Sequence, residues 1–205
     1  MTSRYAQLAF TPAVRGRQLA HGSRTAYARI ERGPANADRL TPDEVDFITT
    51  RDSFYLASTG ESGWPYVQHR GGPPGFLHAL DETTLAFADF RGNRQYITTG
   101  NIQGNDRVAL LLMDYAHQVR LKILGTATLD EDPGADLLRS LTRADYRAVV
   151  ERVVLIKLEA YDWNCPQHIT PRYTAREIED AYAGLHERLE RLEKENAALR
   201  AAASR

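Results

Sequence analysis

The 205 residues carry 26 Lys and Arg against 27 Asp and Glu, a formal net charge of −1, and 42% of them are hydrophobic. A chain so near neutral has no concentrated basic surface for a polyanion, so no nucleic-acid partner is expected, and its length admits one domain with an appendage. A single cysteine, Cys165, excludes an internal disulfide and suits a reducing cytoplasm, the expected compartment, while "MTSRYAQLAF" lacks the basic-then-apolar design of a signal peptide and no apolar run approaches the roughly 18–20 residues that span a bilayer.

Residues 1–40 are rich in Arg, Ala and Tyr and hold helical fragments without a strong periodic core, so a helical wrap around a body built elsewhere is expected. "LTPDEVDFITTR" announces a helix: Thr41 can cap, Pro42 suits the first helical position, and Glu44 stands where a capping-box carboxylate belongs. From 53 to 129 the signal changes to strands. "SFYLAST" and "GWPYVQHR" flank "GES", "GFLHAL" and "TLAFADF" flank "DET", and "RVALLLMDY" and "VRLKILGTATL" flank "AHQ". A helical interlude, "DPGADLLRSLTRADYRAV", precedes a last strand, "RVVLIKLEAYDW". Some seven strands in hairpin order predict a mainly β (α+β) fold, an antiparallel barrel or closed sheet over 41–173. "VALLL" is apolar on both faces, which places that strand in the interior or at a subunit contact.

The tail, 174–205, is different again. Ile178, Leu185, Leu192 and Leu199 recur every seven residues, with Ala175, Tyr182, Leu189 and Asn196 on the companion seam. Two readings are open: a parallel two-chain coiled coil, in which Arg188 faces Glu193 and Glu195 faces Arg200, or an amphipathic helix packed on its own body.

The familiar catalytic and metal signatures are absent: no H-E-x-x-H, no cysteine pair for zinc, no G-x-S-x-G and no Walker loop. The six histidines are scattered without ligand spacing, so no metal site is expected. Three segments stand out instead. "QHRGGPPGF" (68–76) ends a strand in bare, rigid backbone beside Gln68, His69 and Arg70. "ADFRGNRQY" (88–96) sets Asp89, Arg91, Asn93, Arg94 and Gln95 at a strand-to-helix junction, where free N–H groups and guanidiniums suit a dianion. A surface turn with solvated arginines would read the same way. "VRLKILG" (119–125) places Arg120 and Lys122 on one strand face. Clustered cations in a net-neutral chain point to a small anionic ligand.

In this order, "PYVQHRGGPPGF", "TLAFADFRGNRQ", "NDRVALLLMD" and "RLKILGTATL" resemble the pyridoxamine 5′-phosphate oxidase-like FMN-binding split-barrel family, over roughly residues 40–173. The likeness is greatest to an oxidase-related branch in which "GGPPGF" and the late segment "WNCPQHITPRY" (163–173) are familiar. The resemblance implies an antiparallel split β-barrel with peripheral helices and FMN held between the subunits of a homodimer. It implies a phosphate turn at Arg91, Asn93, Arg94 and Gln95. Gln68, His69 and Arg70 would line the flavin and its ribityl chain, with Arg120 and Trp163 near the ring and the loop glycines close to it. The chemistry implied is hydride or electron transfer on a small organic molecule. A flavin, deazaflavin or haem module without turnover is the alternative. Gln68 and the "GGPP" loop stand where true pyridoxamine phosphate oxidases carry an arginine and a lysine, so oxidation of vitamin B6 itself is not expected. Cys165 reads either as a reactive thiol near His168 and Arg172 or as a structural one.

Overall fold

A computed structural model describes residues 1–163 and 167–203. Cys165, and with it both readings of its thiol, lies outside the described residues. The chain divides into two compact units, residues 1–114 with 119–167, and residues 115–118 with 168–205.

The first unit is built on a seven-stranded antiparallel sheet: β1 (Ser53–Thr59), β2 (Pro65–Gly71), β3 (Leu77–Asp81), β4 (Thr84–Phe90), β5 (Arg107–Asp114), β6 (Val119–Asp130) and β7 (Val150–Trp163). Their order is β2-β1-β5-β6-β7-β4-β3, so the hairpins read from sequence pair as expected and the two edges are β2 and β3. Strands near opposite edges nevertheless share one core. Phe54 of β1 stacks on Phe76 at 5.4 Å and meets Phe87 of β4 edge-on at 5.3 Å. Leu77, Leu85, Leu110, Leu121, Ile156 and Leu158 fill the same cluster. The sheet therefore curls around its apolar face as a split barrel, with its seam between β2 and the β4 side. Gly125 interrupts the β6–β7 register, and a Cβ there would meet the Lys157 carbonyl oxygen at 2.5 Å.

Helices close the rest. α1 (Ser3–Ala9), α2 (Pro12–Ala20) and α3 (Arg24–Ile30) form the N-terminal wrap. It is pinned to β7, where Thr2 Oγ1 donates to the Tyr161 carbonyl at 3.0 Å and Arg4 pairs with Glu159 at 2.9 Å. α4 (Pro42–Thr49) starts with the expected capping box, the Thr41 N–H donating to the Glu44 carboxylate at 2.9 Å. Burial pushes that carboxyl up, but bonds from Thr41 and from Trp163 outweigh it and hold Glu44 below the ordinary carboxylate value. α5 (Ile97–Gly104) follows β4, and α6 (Ala135–Leu141) sets Leu141 against Ala86, Ala88 and Val153. That cover explains why β4 is buried on both faces.

β5 resolves the question its sequence raises. Val108, Leu110 and Leu112 face the core, while Ala109 and Leu111 face outward into an apolar cleft of about 430 Å³ shared with Tyr55, Ala57, Val67 and Leu124. In the second unit, α7 (Ala175–Ala203) is one continuous helix, opened by the Glu177 N–H donating to Thr174 Oγ1 at 3.2 Å. Among the described residues no helix is long and apolar enough to cross a membrane.

Candidate functional site

The site lies at the barrel seam. Tyr66, Gln68 and Arg70 pair directly with Ser58, Leu56 and Phe54 of β1, so they share the inward face. Arg70 reaches across the seam to Asp89 of β4 at 2.6 Å, and the second Asp89 oxygen accepts from Arg152 of β7 at 2.9 Å. Asp89 is 5% exposed, so its charge is held by two guanidiniums rather than by water. Arg152 also donates through Nε to Glu131 at 3.0 Å. Arg70 keeps a buried Nε with no hydrogen-bond partner among the described residues, and its guanidinium lies 5.7 Å from the Phe87 ring centre.

The chain leaves β4 into the turn that carries the other half. Asn93 Oδ1 accepts the Gln95 N–H at 3.2 Å, a side-chain-closed turn. Arg94 and Tyr96 both adopt left-handed backbone, at φ 60° and 54°. Non-glycine residues rarely do so, and such conformations cluster at ligand-clamping sites. Tyr96 then leads into α5, whose opening N–H groups have no intrahelical acceptors. Thr98 Oγ1 donates to Gln68 Oε1 at 2.6 Å and ties α5 to β2.

A clasp closes the outer side. Arg94 Nε donates to the Tyr96 hydroxyl at 3.2 Å, and that hydroxyl donates to Glu151 at 3.2 Å. Arg91 Nε donates to the same Glu151 oxygen at 3.1 Å. Burial pushes the Glu151 carboxyl up, but the bonds from Arg91 and Tyr96 and the charge of Arg152 outweigh it and hold it below the ordinary carboxylate value. The bond to Tyr96, aided by the charge of Glu151, holds the Arg94 guanidinium above its ordinary value. Together these elements enclose a polar cavity of about 240 Å³.

Six of the residues singled out from sequence line this cavity: Gln68, Arg70, Asp89, Asn93, Arg94 and Gln95. Arg91 stands beside it, engaged with Glu151. Three are not brought there within one chain. His69 points to the opposite face of β2, since its neighbours Gln68 and Arg70 point inward, and its ring meets Tyr55 edge-on at 5.7 Å. Arg120 pairs with Met113 and Lys122 with Leu111, so both occupy that same outward face, where Lys122 binds Asp162 at 2.7 Å. Within one chain these two cations do not merge with Arg70 and Arg94. Trp163 belongs to the core instead, its Nε1 donating to Glu44 at 2.6 Å and its ring meeting Phe47 at 4.9 Å.

The glycine-rich loop also has a structural role. The Gly75 N–H donates to the Arg51 carbonyl at 2.9 Å with φ at +82°, and a Cβ there would meet the Thr49 carbonyl oxygen at 2.9 Å. At Gly72 a Cβ would strike the Phe76 ring at 2.6 Å. These glycines let the loop press against α4 and against itself, and they do not line the cavity.

Sequence reasoning missed Tyr96, Thr98, Thr99, Glu151 and Arg152 as cavity residues. Thr98 and Thr99 open the helix after the arginine turn, a signal that was available. Glu151 and Arg152 arrive from β7, some 60 residues further on, through strand pairing that leaves no local trace.

The sequence model of the pyridoxamine 5′-phosphate oxidase family matches residues 40–164. The chain belongs to this family. No curated protein shows a significant match in sequence. Among solved structures, HupZ of Group A Streptococcus is similar at 15% identity, covering 65% of this chain and 99% of that one with a TM-score of 0.49. An FMN-binding protein from Syntrophomonas wolfei is similar at 9% identity, covering 72% and 97% with a TM-score of 0.48. An FAD-binding protein from Mesorhizobium loti is similar at 16% identity, covering 60% and 94% with a TM-score of 0.43. Family membership fits the seven-stranded antiparallel sheet and leaves the ligand to be argued from the cavity.

Proposed function

We propose that this chain binds FMN, with the flavin phosphate and ribityl chain in the seam cavity, and acts as an oxidoreductase on a small organic molecule. The observation that carries this reading is the convergence of Arg70, Arg94 and Arg152 with the start of α5 and the side chains of Asn93, Gln95, Thr98 and Thr99. Guanidiniums and free N–H groups at a helix start are the donor set that a phosphate dianion requires. A cavity of about 240 Å³ lies below the roughly 300–1,000 Å³ that encloses a whole drug-sized ligand, so it suits the phosphate end while the flat ring extends beyond it.

That extension is the reason to propose a homodimer. The outward face of β1, β2, β5 and β6 carries an apolar cleft beside His69, Arg120 and Lys122, and Val67 there is 60% exposed. A second copy covering this face removes the patch from water and gives His69 and Arg120 a route to the flavin of the other copy. Bound flavin supplies hydride or electron transfer. The chain's own residues then bind, orient and exclude water. The two carboxylates that line the cavity are already engaged, Asp89 by Arg70 and Arg152 and Glu151 by Arg91 and Tyr96, so acid–base work is not assigned to them. The same observation favours the second reading, a flavin-binding sensor or carrier without turnover.

Titration with FMN and with riboflavin, which lacks the phosphate, tests the assignment. The reading expects FMN to bind far more tightly than riboflavin. Equal affinities would remove the phosphate from the cavity. Flavin reduction by NAD(P)H or by an organic donor separates the enzyme from the sensor.

A further inference from the structure

The apolar residues of α7 fall on one stripe. Ile178, Leu185, Leu192 and Leu199 alternate with Tyr182 and Leu189 at spacings of three and four, and the polar Asn196 takes the next place on the seam. The stripe is bare to solvent along the helix, with Leu185 60% and Leu189 54% exposed. An exposed heptad seam on a 29-residue helix calls for a partner helix.

We propose that α7 pairs with α7 of a second copy as a parallel, in-register, two-stranded coiled coil. The polar residues beside the seam argue both the partner and the direction. With Ala175 at position a, Arg188 and Glu195 occupy g positions and Glu193 and Arg200 occupy e positions. A parallel pair sets Arg188 against Glu193 of the second copy and Glu195 against its Arg200, so opposite charges meet at both heights. Asn196 faces Asn196, where the two amides can bond each other. In an antiparallel pair Asn196 meets an apolar residue of the other helix in either long register: Ile178, with Arg188 against Arg188 and Glu179 against Glu193, or Leu185, with Arg188 against Glu195. The buried amide therefore finds its own kind only in the parallel, in-register pair, and it is this residue that sets the direction. This inference stands apart from the flavin assignment.

The test uses the full chain carrying Cys165→Ser, with one new cysteine at a time and a mild thiol oxidant. Leu192→Cys is expected to form a covalent dimer at least tenfold faster than Lys194→Cys, which lies on the outer side of the helix. Arg188→Glu is expected to slow the Leu192→Cys cross-link, and adding Glu193→Arg to restore it. Unchanged circular dichroism shows that each variant is folded. Equal rates at 192 and 194 would overturn the proposal. So would cross-linking that appears only when Leu192→Cys chains are mixed with Tyr182→Cys or Leu189→Cys chains, the antiparallel result.

Discussion

β2 carries two opposed surfaces on one strand. Gln68 and Arg70 turn into the seam, where α5 and Asp89 bond them, while Val67 and His69 turn outward beside Tyr55 and Ala57. The inward side is polar and crossed by charge-assisted bonds. The outward side opens on an apolar cleft, lined by Val67 and its neighbours in the sheet and by Tyr5 of α1, with His69 beside it. A strand at a barrel seam can thus hold a small anion on one face and a protein surface on the other, with the alternation of side chains keeping the two apart.

The sharpest way to break this contrast is at Asp89. Replacing it with alanine leaves Arg70 and Arg152 without their shared carboxylate, and a buried ion pair broken on one side costs about 3–5 kcal/mol. The expected result is a large fall in the thermal midpoint, and an unchanged midpoint would show that charge does not hold the seam. Val67→Asp probes the other face. Val67 is exposed within one chain, so folding should be unaffected while self-association weakens roughly 100-fold, as a charge is forced into an apolar contact. Sedimentation at graded concentrations measures it in a chain whose α7 seam also carries Leu185→Asp and Leu192→Asp, and an unchanged dimer there would move the interface elsewhere.

The smaller effects concern the cavity rim. Arg94→Ala is expected to weaken FMN binding about tenfold if the guanidinium donates to the phosphate, measured by quenching of flavin fluorescence. Unchanged affinity would remove Arg94 from the site. The smallest effect is the pH response of the clasp. Glu151 is held below its ordinary value of 4.5, so its contribution to stability is fully present above that value and is lost as pH falls through the lower folded value. Glu151→Gln is expected to lower the thermal midpoint near neutrality, where the ionised carboxylate contributes, and to leave it almost unaltered below that acidic window, where the carboxyl is already protonated.

The fold was legible because its signals are local. Hairpin turns, alternating strands and the Thr41–Glu44 box each fall within a few residues. The arginine turn was legible for the same reason. What escaped is set by parity and by pairing. His69 sits between two inward residues, so alternation alone sends it outward, yet its company in "QHR" reads as one patch. Trp163 looks like a ring-stacking residue until Glu44, 119 positions earlier, is found at its Nε1. Arg152 meets Asp89 only because β7 lies beside β4, a neighbour relation that the barrel topology decides.

The central claim is that one chain holds one FMN by its phosphate at the barrel seam. Native mass spectrometry of the full chain, as purified and after incubation with FMN, tests it most directly. The account predicts a dimer carrying one FMN per chain. It also predicts that riboflavin at the same concentration leaves no adduct. A chain that stays free of flavin, or that carries haem or a deazaflavin instead, would contradict it.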